Sequence, residues 1–306
     1  MRVKQLLVVT LLFALSRGHA QQVKLQGSVA DAQTGKPVAG ATIGIAAKNF
    51  FFPADDNGKY EIADSRITIN DTISISSIGY ITQKMVVKGL AQPILIKLMP
   101  YVTALKEVKV GLKPAGIVMV GSKKKSAAGS SSFLPGMEEA MFMQGSPGVP
   151  GFIESAGFFI EDGGNLFSKA SGDVTAPFRI MIYSVAADGA PDKELTEDII
   201  IATGKKNKAW LDVDVSRYHI ANPAEGFFVV FALLDKSYYI ANNKYIQSYN
   251  HNTSSLDTFT PHLGMTQDEF TQTRCYIKTL KGNKTHWNNY GNNYSYLMRA
   301  TIAIEQ

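Results

Sequence analysis

The chain has 306 residues, of which 45% are hydrophobic and 19% are charged, and its formal net charge is +5. Three positive charges, on Arg2, Lys4 and Arg17, lie in the first twenty residues, so the rest of the chain carries +2 (5 − 3). That excess is too small to indicate a nucleic-acid-binding surface. The single cysteine, Cys275, excludes an internal disulfide framework. The composition therefore predicts a globular protein with sizeable hydrophobic cores, and two domains are favoured.

Residues 1–20 have the pattern of a secretory signal peptide. Arg2 and Lys4 precede an apolar run over residues 6–15, and residues 18–20 supply the small residues of a cleavage site. Later apolar runs are shorter than the ~20 residues of a transmembrane helix, and there is no cysteine near the cleavage site to carry a lipid. The sequence therefore predicts an exported protein without a transmembrane segment in the mature chain. Its predicted location is the periplasm, the outer membrane surface or the exterior of a Gram-negative bacterium.

Short strands are predicted throughout residues 21–110, where apolar and polar residues alternate with the period of two that half-buried strands require. The turn clusters at residues 31–35 and 55–58 contain aspartate and glycine, which favour chain reversal. Many short strands without a helical period predict an antiparallel β-sandwich. The predicted strands lie near residues 23–29, 41–45, 60–62, 73–75 and 94–98.

Several short motifs in this region occur in the order of a known family. They are Thr34-Gly35-Lys36-Pro37, Asp56-Asn57-Gly58-Lys59-Tyr60, Ser77-Ile78-Gly79-Tyr80 and Leu105-Lys106-Glu107-Val108-Lys109-Val110. With these motifs, residues 21–110 resemble the carboxypeptidase regulatory-like domain. The resemblance implies a transthyretin-like, seven-stranded sandwich that is an accessory module without peptidase activity. The same module often precedes TonB-dependent transporters, but only 196 residues follow Val110 (306 − 110), too few for a plug and a large barrel.

Residues 111–136 are predicted to form a Gly/Ser/Lys linker between two domains, because residues 121–132 are small, polar and basic. A short helix is predicted at residues 138–142. In residues 227–234, the odd-numbered and the even-numbered residues are all apolar, as in a central strand covered on both faces. Further strands are predicted near residues 157–160, 178–183, 199–202 and 211–215.

Residues 137–306 resemble, through the segments 178–183, 189–195, 210–220 and 226–230, a jelly-roll-like module of exported bacterial proteins. That resemblance implies a second sandwich and transfers no catalytic residue. The predicted fold is therefore all-β, with an N-terminal transthyretin-like or Ig-like sandwich and a C-terminal jelly-roll-like sandwich.

The candidate catalytic residues lack the spacing that enzyme chemistry needs. Asp212 and Asp214 imitate the Asp-x-Asp loop of phosphatases, but the period of two places both on the polar face of a strand. Glu161 and Asp162 are sequence neighbours, whereas glycosidase carboxylates face the substrate from two sides. Cys275 has no catalytic signature around it, and the chain has no Gly-x-Ser-x-Gly elbow or phosphate-binding loop. No catalytic residue is predicted.

No metal site or cofactor is predicted either. Residues 55–58 resemble part of an EF-hand loop, but Pro53 would occupy the first ligand position, so a hairpin turn is the better interpretation. The histidines of the mature chain lie too far apart for a short zinc motif. They are His219, His251, His262 and His286.

One short segment indicates ligand binding. Trp287, Asn289, Tyr290 and Tyr294 lie in a stretch rich in aromatic and amide side chains, and aromatic rings beside amides suit the faces and hydroxyl groups of sugars. The alternative is a loop whose aromatic rings pack on the edge of the sandwich. These four residues form the predicted ligand-binding site, and a glycan or an envelope protein is the predicted partner.

The sequence is compatible with three functions. The first is a non-catalytic, exported binding or assembly protein of the cell envelope. The second is an envelope hydrolase acting on a polysaccharide or peptide, which would need two carboxylates, or a histidine and Cys275, brought together by the fold. The third is a structural module whose first domain pairs through an edge strand with another chain.

Overall fold

The structure is a computed structural model that describes most of the chain between residues 23 and 304. The predicted signal peptide and the motif at residues 105–110 lie outside the described residues. Within the described part of the chain, no helix is long and apolar enough to cross a membrane. The described residues are 23–48, 50–77, 80–88, 92–100, 116–131, 135–145, 150–163, 172–196, 198–241, 245–250, 253–258, 260–267, 274–281, 284–290 and 294–304.

The first domain is a sandwich of a three-stranded sheet, in the order β4-β1-β7, and a four-stranded sheet, in the order β3-β2-β5-β6. This confirms the predicted sandwich, with one difference. Strand β1 pairs with β4 antiparallel but with β7 parallel. The strands are β1 (Lys24–Asp31), β2 (Thr42–Ile45), β3 (Phe50–Pro53), β4 (Lys59–Ala63), β5 (Thr72–Ser76), β6 (Gln83–Val86) and β7 (Ile94–Leu98), with a 3-10 turn at Ala46–Lys48.

The three-stranded sheet follows the predicted alternation closely. Buried and exposed residues alternate along β4 and β7, because one face of this sheet covers the core and the other faces solvent. Gly27 is required in β1, since a Cβ atom there would lie 2.0 Å from the carbonyl oxygen of Ile94. The four-stranded sheet differs, because all four residues of β2 are buried.

Asp31 and Tyr80, which belong to the segments that carry the family resemblance, are bonded to each other in this sandwich. The Tyr80 hydroxyl donates to Asp31 Oδ2 at 2.9 Å, while Asp31 Oδ1 accepts the backbone N–H groups of Gln33 and Thr34 at 2.8 and 2.7 Å. These hydrogen bonds, led by the one from Thr34, lower the pKa of Asp31. The turn after β1 is thereby tied to the segment that follows β5.

The second domain is a larger sandwich of two seven-stranded sheets and a separate hairpin of β17 and β18. Its helix, α1 (Lys236–Ala241), follows β16 directly, and a 3-10 turn lies at Ser216–Tyr218. The strands are β8 (Gly116–Gly121), β9 (Gly129–Ser131), β10 (Glu138–Met143), β11 (Gly151–Glu161), β12 (Pro177–Val185), β13 (Pro191–Glu194), β14 (Ile200–Thr203), β15 (Ala209–Asp214), β16 (Phe227–Leu233), β17 (Tyr245–Asn250), β18 (Thr253–Thr258), β19 (His262–Thr266), β20 (Cys275–Lys281), β21 (Lys284–Asn289), β22 (Ser295–Tyr296) and β23 (Met298–Ile304).

The two sheets of this sandwich are named here after their long strands. The β16 sheet has the order β13-β12-β16-β10-β20-β21, with β14 beside β12. The β11 sheet has the order β22-β19-β11-β23-β8, with β15 beside β11 and β9 beside β19. One hydrophobic core, which includes Phe158 of the β11 sheet and Phe178 and Phe231 of the β16 sheet, lies between them. The sandwich predicted for this half of the chain is therefore confirmed.

Strand β16 is the central strand that its sequence predicts. Every one of its residues is buried. Phe227, Val229 and Phe231 point into the core between the sheets, whereas Phe228 and Val230 belong to a second apolar cluster on the outer face. The unbroken apolar sequence of β16 therefore corresponds to burial on both faces of the sheet.

Two predictions around residue 130 are wrong. The segment predicted as a linker contains β8, which pairs with β23, and β9, which pairs with β19. The segment predicted as a helix is β10, which lies between β16 and β20. Its glutamate, alanine and methionine residues favour helices locally, but pairing with two neighbouring strands satisfies the backbone of β10 on both sides.

The two sandwiches contact each other through α1 and β3. Phe51 packs with Leu234, Tyr238 and Tyr239 in a small buried cluster, and the Tyr239 hydroxyl donates to the carbonyl oxygen of Pro177 at 2.8 Å. This contact explains why Phe50 and Phe51, which are neighbours in β3, are both buried, and Phe51 in turn covers Gly44 of β2.

An ion pair lies beside this contact. Arg66 of the first domain pairs with Asp235 at 2.8 Å and also with its neighbour Asp64. The Arg66 guanidinium lies 4.1 Å from the ring centroid of Phe50. The interface between the domains therefore has an apolar centre and a charged rim.

Candidate functional site

The four residues of the predicted ligand-binding site lie in two different places. Trp287 and Asn289 belong to β21 and lie two residues apart in that strand. Tyr290 follows the strand, and Tyr294 directly precedes β22. Tyr290 and Tyr294 line one groove, and Trp287 and Asn289 are not among its lining residues.

Trp287 packs on the outer face of the β16 sheet. Its ring lies 5.8 Å from that of Tyr183 in an edge-to-face arrangement, and the Lys278 ammonium lies 5.3 Å from the Trp287 ring centroid. Lys278 also pairs with Glu138 at 3.0 Å. For Trp287, the structure therefore supports the alternative interpretation of an aromatic ring packed at the edge of a sandwich.

Tyr290 and Tyr294 lie at a surface groove of about 450 Å³, which is called here the tyrosine groove. Their exposed fractions, 41% and 43%, are large for aromatic residues of this protein. Gln267 Nε2 donates to the Tyr294 hydroxyl at 2.8 Å, which orients one ring. The described lining residues are Ala128, Gly129, Ser130, Met265, Gln267, Tyr290 and Tyr294.

The ring of Tyr290 is fixed from behind. It stacks on the ring of Tyr296 with a centroid distance of 5.9 Å and an interplanar angle of 22°, and Tyr296 is fully buried in the core. The backbone N–H of Tyr290 donates to the carbonyl oxygen of Cys275 at 2.8 Å. One ring face is therefore used for packing, while the residue as a whole stays exposed at the groove.

A buried polar cluster lies behind this stack. Glu139 is fully enclosed in the sandwich interior, and burial raises the pKa of its carboxyl well above the ordinary value of 4.5. Its Oε1 atom and the Tyr296 hydroxyl have no hydrogen-bond partner among the described residues. Burial also raises the pKa of Cys275 to about 12, which favours the thiol over the reactive thiolate.

The Ser131 hydroxyl is the side-chain hydrogen-bond partner of Glu139. The hydroxyl oxygen of Ser131 lies 3.1 Å from Glu139 Oε2 and 3.3 Å from the carbonyl oxygen of Leu263. A serine hydroxyl has only one proton to donate. The Ser131 hydroxyl therefore donates to Glu139 Oε2 or to the Leu263 carbonyl oxygen, or shares its proton between the two.

His262 contacts one of the residues that line the groove. Its Nδ1 atom lies 3.4 Å from the hydroxyl oxygen of Ser130, and burial lowers the pKa of the imidazole. A Cβ atom on Gly163 or Gly172 would lie 2.2 or 2.6 Å from the ring. The imidazole is therefore enclosed by backbone on two sides, which is the environment of a packed histidine.

The acidic candidates have structural partners. Asp212 lies on the exposed face of β15, as predicted, and accepts a hydrogen bond from Arg299 Nε at 2.8 Å. Asp55 closes the predicted hairpin turn, where its Oδ1 accepts the backbone N–H groups of Asn57 and Lys59 at 2.9 and 2.7 Å. Within the described residues, no three histidine, cysteine or acidic side chains are grouped to hold a metal ion.

The sequence reasoning missed Ser130 and Gln267. Ser130 lies in the segment interpreted as a linker, and Gln267 follows β19. The pairing of β9 with β19 brings them together. The local signal was the unbroken apolar run at residues 117–120, which is typical of a buried strand and argues against a linker.

Comparison with known proteins identifies the first domain. Residues 25–110 match the family model of the CarboxypepD_reg-like domain, so this part of the chain is a domain of that kind, as its motifs predict. The family is described as regulatory-like, a non-catalytic kind of domain. The match does not extend to the second sandwich, and no curated protein matches the sequence.

Among solved structures, the chain is similar to "the cysteine protease and lectin-like domains of Cwp84, a surface layer associated protein of Clostridium difficile". The identity is 14% and the TM-score is 0.36. The match covers 61% of this chain and 36% of that chain, so it spans about a third of the other protein's length. Similarity at this level supports no conclusion about the function of the second domain.

Proposed function

We propose that this protein is a non-catalytic binding protein of the bacterial cell envelope and that its tyrosine groove binds a neutral glycan. The observation that carries the proposal is the pair of exposed tyrosine rings at a groove whose described lining residues have no charge. The predicted export signal supports the location. The CarboxypepD_reg-like domain supports an accessory role for the first sandwich.

The chemistry of the groove suits a sugar. A pyranose ring presents an apolar C–H face and a rim of hydroxyl groups, so it needs a flat apolar platform beside donors and acceptors. Tyr290 and Tyr294 supply the platform, while the Ser130 hydroxyl and the Gln267 amide supply both donors and acceptors. An acidic sugar would need a cation among the lining residues, and the described lining has none.

The groove is also partly organised before a ligand arrives. The stack of Tyr290 on Tyr296 and the hydrogen bond between Gln267 and Tyr294 restrain both rings. Binding therefore loses less side-chain entropy than it would with two free tyrosines. Rigid aromatic anchors of this kind are the residues whose removal costs the most binding energy.

Replacement of both groove tyrosines tests the proposal. The mature chain, residues 21–306, is expected to retain neutral oligosaccharides on a glycan array. The Tyr290→Ala/Tyr294→Ala variant is expected to bind them at least about tenfold more weakly, a loss of about 1.4 kcal/mol, because the platform is gone. Affinity is measured by titration calorimetry with the best-retained oligosaccharide.

Two further variants serve as controls. Tyr290→Phe keeps the ring and should retain most of the affinity, while Trp287→Ala removes an aromatic side chain outside the groove and should leave glycan binding unchanged. Circular dichroism establishes that each variant is folded. Wild-type affinity in a folded Tyr290→Ala/Tyr294→Ala variant, or no retention of any neutral glycan by the wild type, would contradict the proposed function.

A further inference from the structure

Strand β8 forms one end of the β11 sheet. It pairs with β23 along its whole length, from Gly116 opposite Ile304 to Gly121 opposite Arg299, and it is last in the strand order. Among the described strands, none pairs with its other edge. Backbone N–H and C=O groups on such an edge are able to pair with a further strand.

The composition of β8 makes this edge unusual. Its sequence, Gly-Ile-Val-Met-Val-Gly, contains no charge and no proline. Ile117 and Met119 point away from the core with exposed fractions of 63% and 40%, whereas Val120 packs against the core. Charges and prolines on an edge strand prevent association, and β8 has neither.

The other edge strands of this sandwich carry such residues or are shorter than β8, and two of the short ones, β14 and β9, have four and three residues. Strand β13 begins with Pro191 and continues with charged residues, β15 carries two aspartates, β21 begins with Lys284, and β22 has only two residues. Strand β8 is therefore the edge, among those of the described part of this sandwich, that is long, uncharged and apolar.

We propose that β8 is a dimerisation edge that pairs antiparallel with β8 of a second copy of this chain. In antiparallel pairs, residues directly opposite each other point to the same side. A two-fold axis at Val118 places Ile117 opposite the partner's Met119, and Met119 opposite the partner's Ile117. The two apolar side chains that each strand exposes, four in the dimer, then meet on one face of a continuous sheet.

The uncharged sequence of β8 favours a second copy as the occupant, and the small size of the strand pair determines how weakly the two copies bind. Because β8 carries no charge, two copies meet without repulsion between like charges along the pairing strands. A six-residue strand pair buries less than the ~1,200–2,000 Å² of a standard interface. The dimer is therefore expected to be weak and concentration-dependent, with a dissociation constant on the order of micromolar.

Sedimentation velocity of the mature chain over a range of concentrations tests the proposal. The wild type is expected to form dimers, and Ile117→Lys/Met119→Lys is expected to raise the dissociation constant at least about tenfold, since it places four like charges together across the two-fold axis. Leu95→Lys is the matched control: Leu95 in β7 is 62% exposed, and its replacement should leave the dimer unchanged.

A cysteine variant tests the register directly. In Val118→Cys, the two new thiols would lie directly opposite each other, where Cβ atoms of paired residues are about 4.5–5.5 Å apart, and mild oxidation should give a covalent dimer. Cys275 is buried, so the wild type should give none.

A monomeric wild type at all concentrations would overturn the proposal and would indicate that another segment of the same chain covers β8. A dimer that survives Ile117→Lys/Met119→Lys and does not cross-link through Val118→Cys would also overturn it. Glycan binding is measured separately, so failure of this proposal does not affect the function proposed for the tyrosine groove.

Discussion

Replacing Phe51 with alanine is expected to lower the free energy of unfolding by about 3–5 kcal/mol, the usual cost of removing a buried phenylalanine ring. The ring is fully buried between the two sandwiches and covers Gly44, where a Cβ atom would lie 2.1 Å from Phe51 Cδ1. Its loss leaves a cavity under Tyr238 and Tyr239. Calorimetric unfolding of the variant is expected to separate into two transitions, because the apolar centre of the domain contact is gone.

Phe52→Ala is the matched control for this experiment. Phe52 follows Phe51 in β3 but is only partly buried and packs against the core of the first sandwich. Its replacement should destabilise the first domain by a smaller amount without weakening the contact between domains. A loss below about 1 kcal/mol for Phe51→Ala would show that the cluster is not the main contact between the two sandwiches.

Replacing Glu139 with glutamine is expected to stabilise the protein at neutral pH. The pKa of this carboxyl is raised by burial in the folded state. Folding therefore favours the protonated form, and the wild type loses stability as the pH rises from the unfolded pKa towards the folded one. Within that window the advantage of Glu139→Gln is expected to grow by about 1.4 kcal/mol per pH unit, and below about pH 4 it should vanish.

The measurement is the free energy of unfolding in urea at several pH values. Glu138→Gln is the control, since Glu138 lies next in the same strand but pairs with Lys278 at 3.0 Å, so its replacement removes an ion pair and should give no stabilisation at neutral pH. The other titratable groups that act on this site are Cys275 and Tyr296, whose pKa values are raised by burial. Parallel pH profiles for wild type and Glu139→Gln would show that Glu139 is ionised in the folded protein.

The strands that the sequence predicted best are those with one covered face. In β4 and β7, buried and exposed residues alternate without exception, so the period of two was visible from the residues alone. The same reasoning placed Asp212 on a polar face and found β16 through its unbroken apolar run. In each case, burial follows from local geometry, because successive side chains of a strand point to opposite sides.

The elements that sequence reasoning missed depend on distant partners. In strand β3, Phe51 is buried because the second domain covers it. Strand β10 has a sequence that favours a helix but lies between β16 and β20. Strands β8 and β9 are short, and pairing with strands more than a hundred residues later in the chain stabilises them. Local propensity does not contain this information.

For the candidate site, the residues by themselves predicted the chemistry: an all-β chain with a stretch of aromatic and amide side chains at residues 287–294. Only the tertiary structure decided which of them act together. It separates Trp287 from Tyr290 and Tyr294, and it brings Ser130 beside Gln267 through the pairing of β9 with β19. It also encloses Glu139 behind the groove. The physical reason is that residue type sets what a side chain can bind, whereas long-range strand pairing sets which side chains meet.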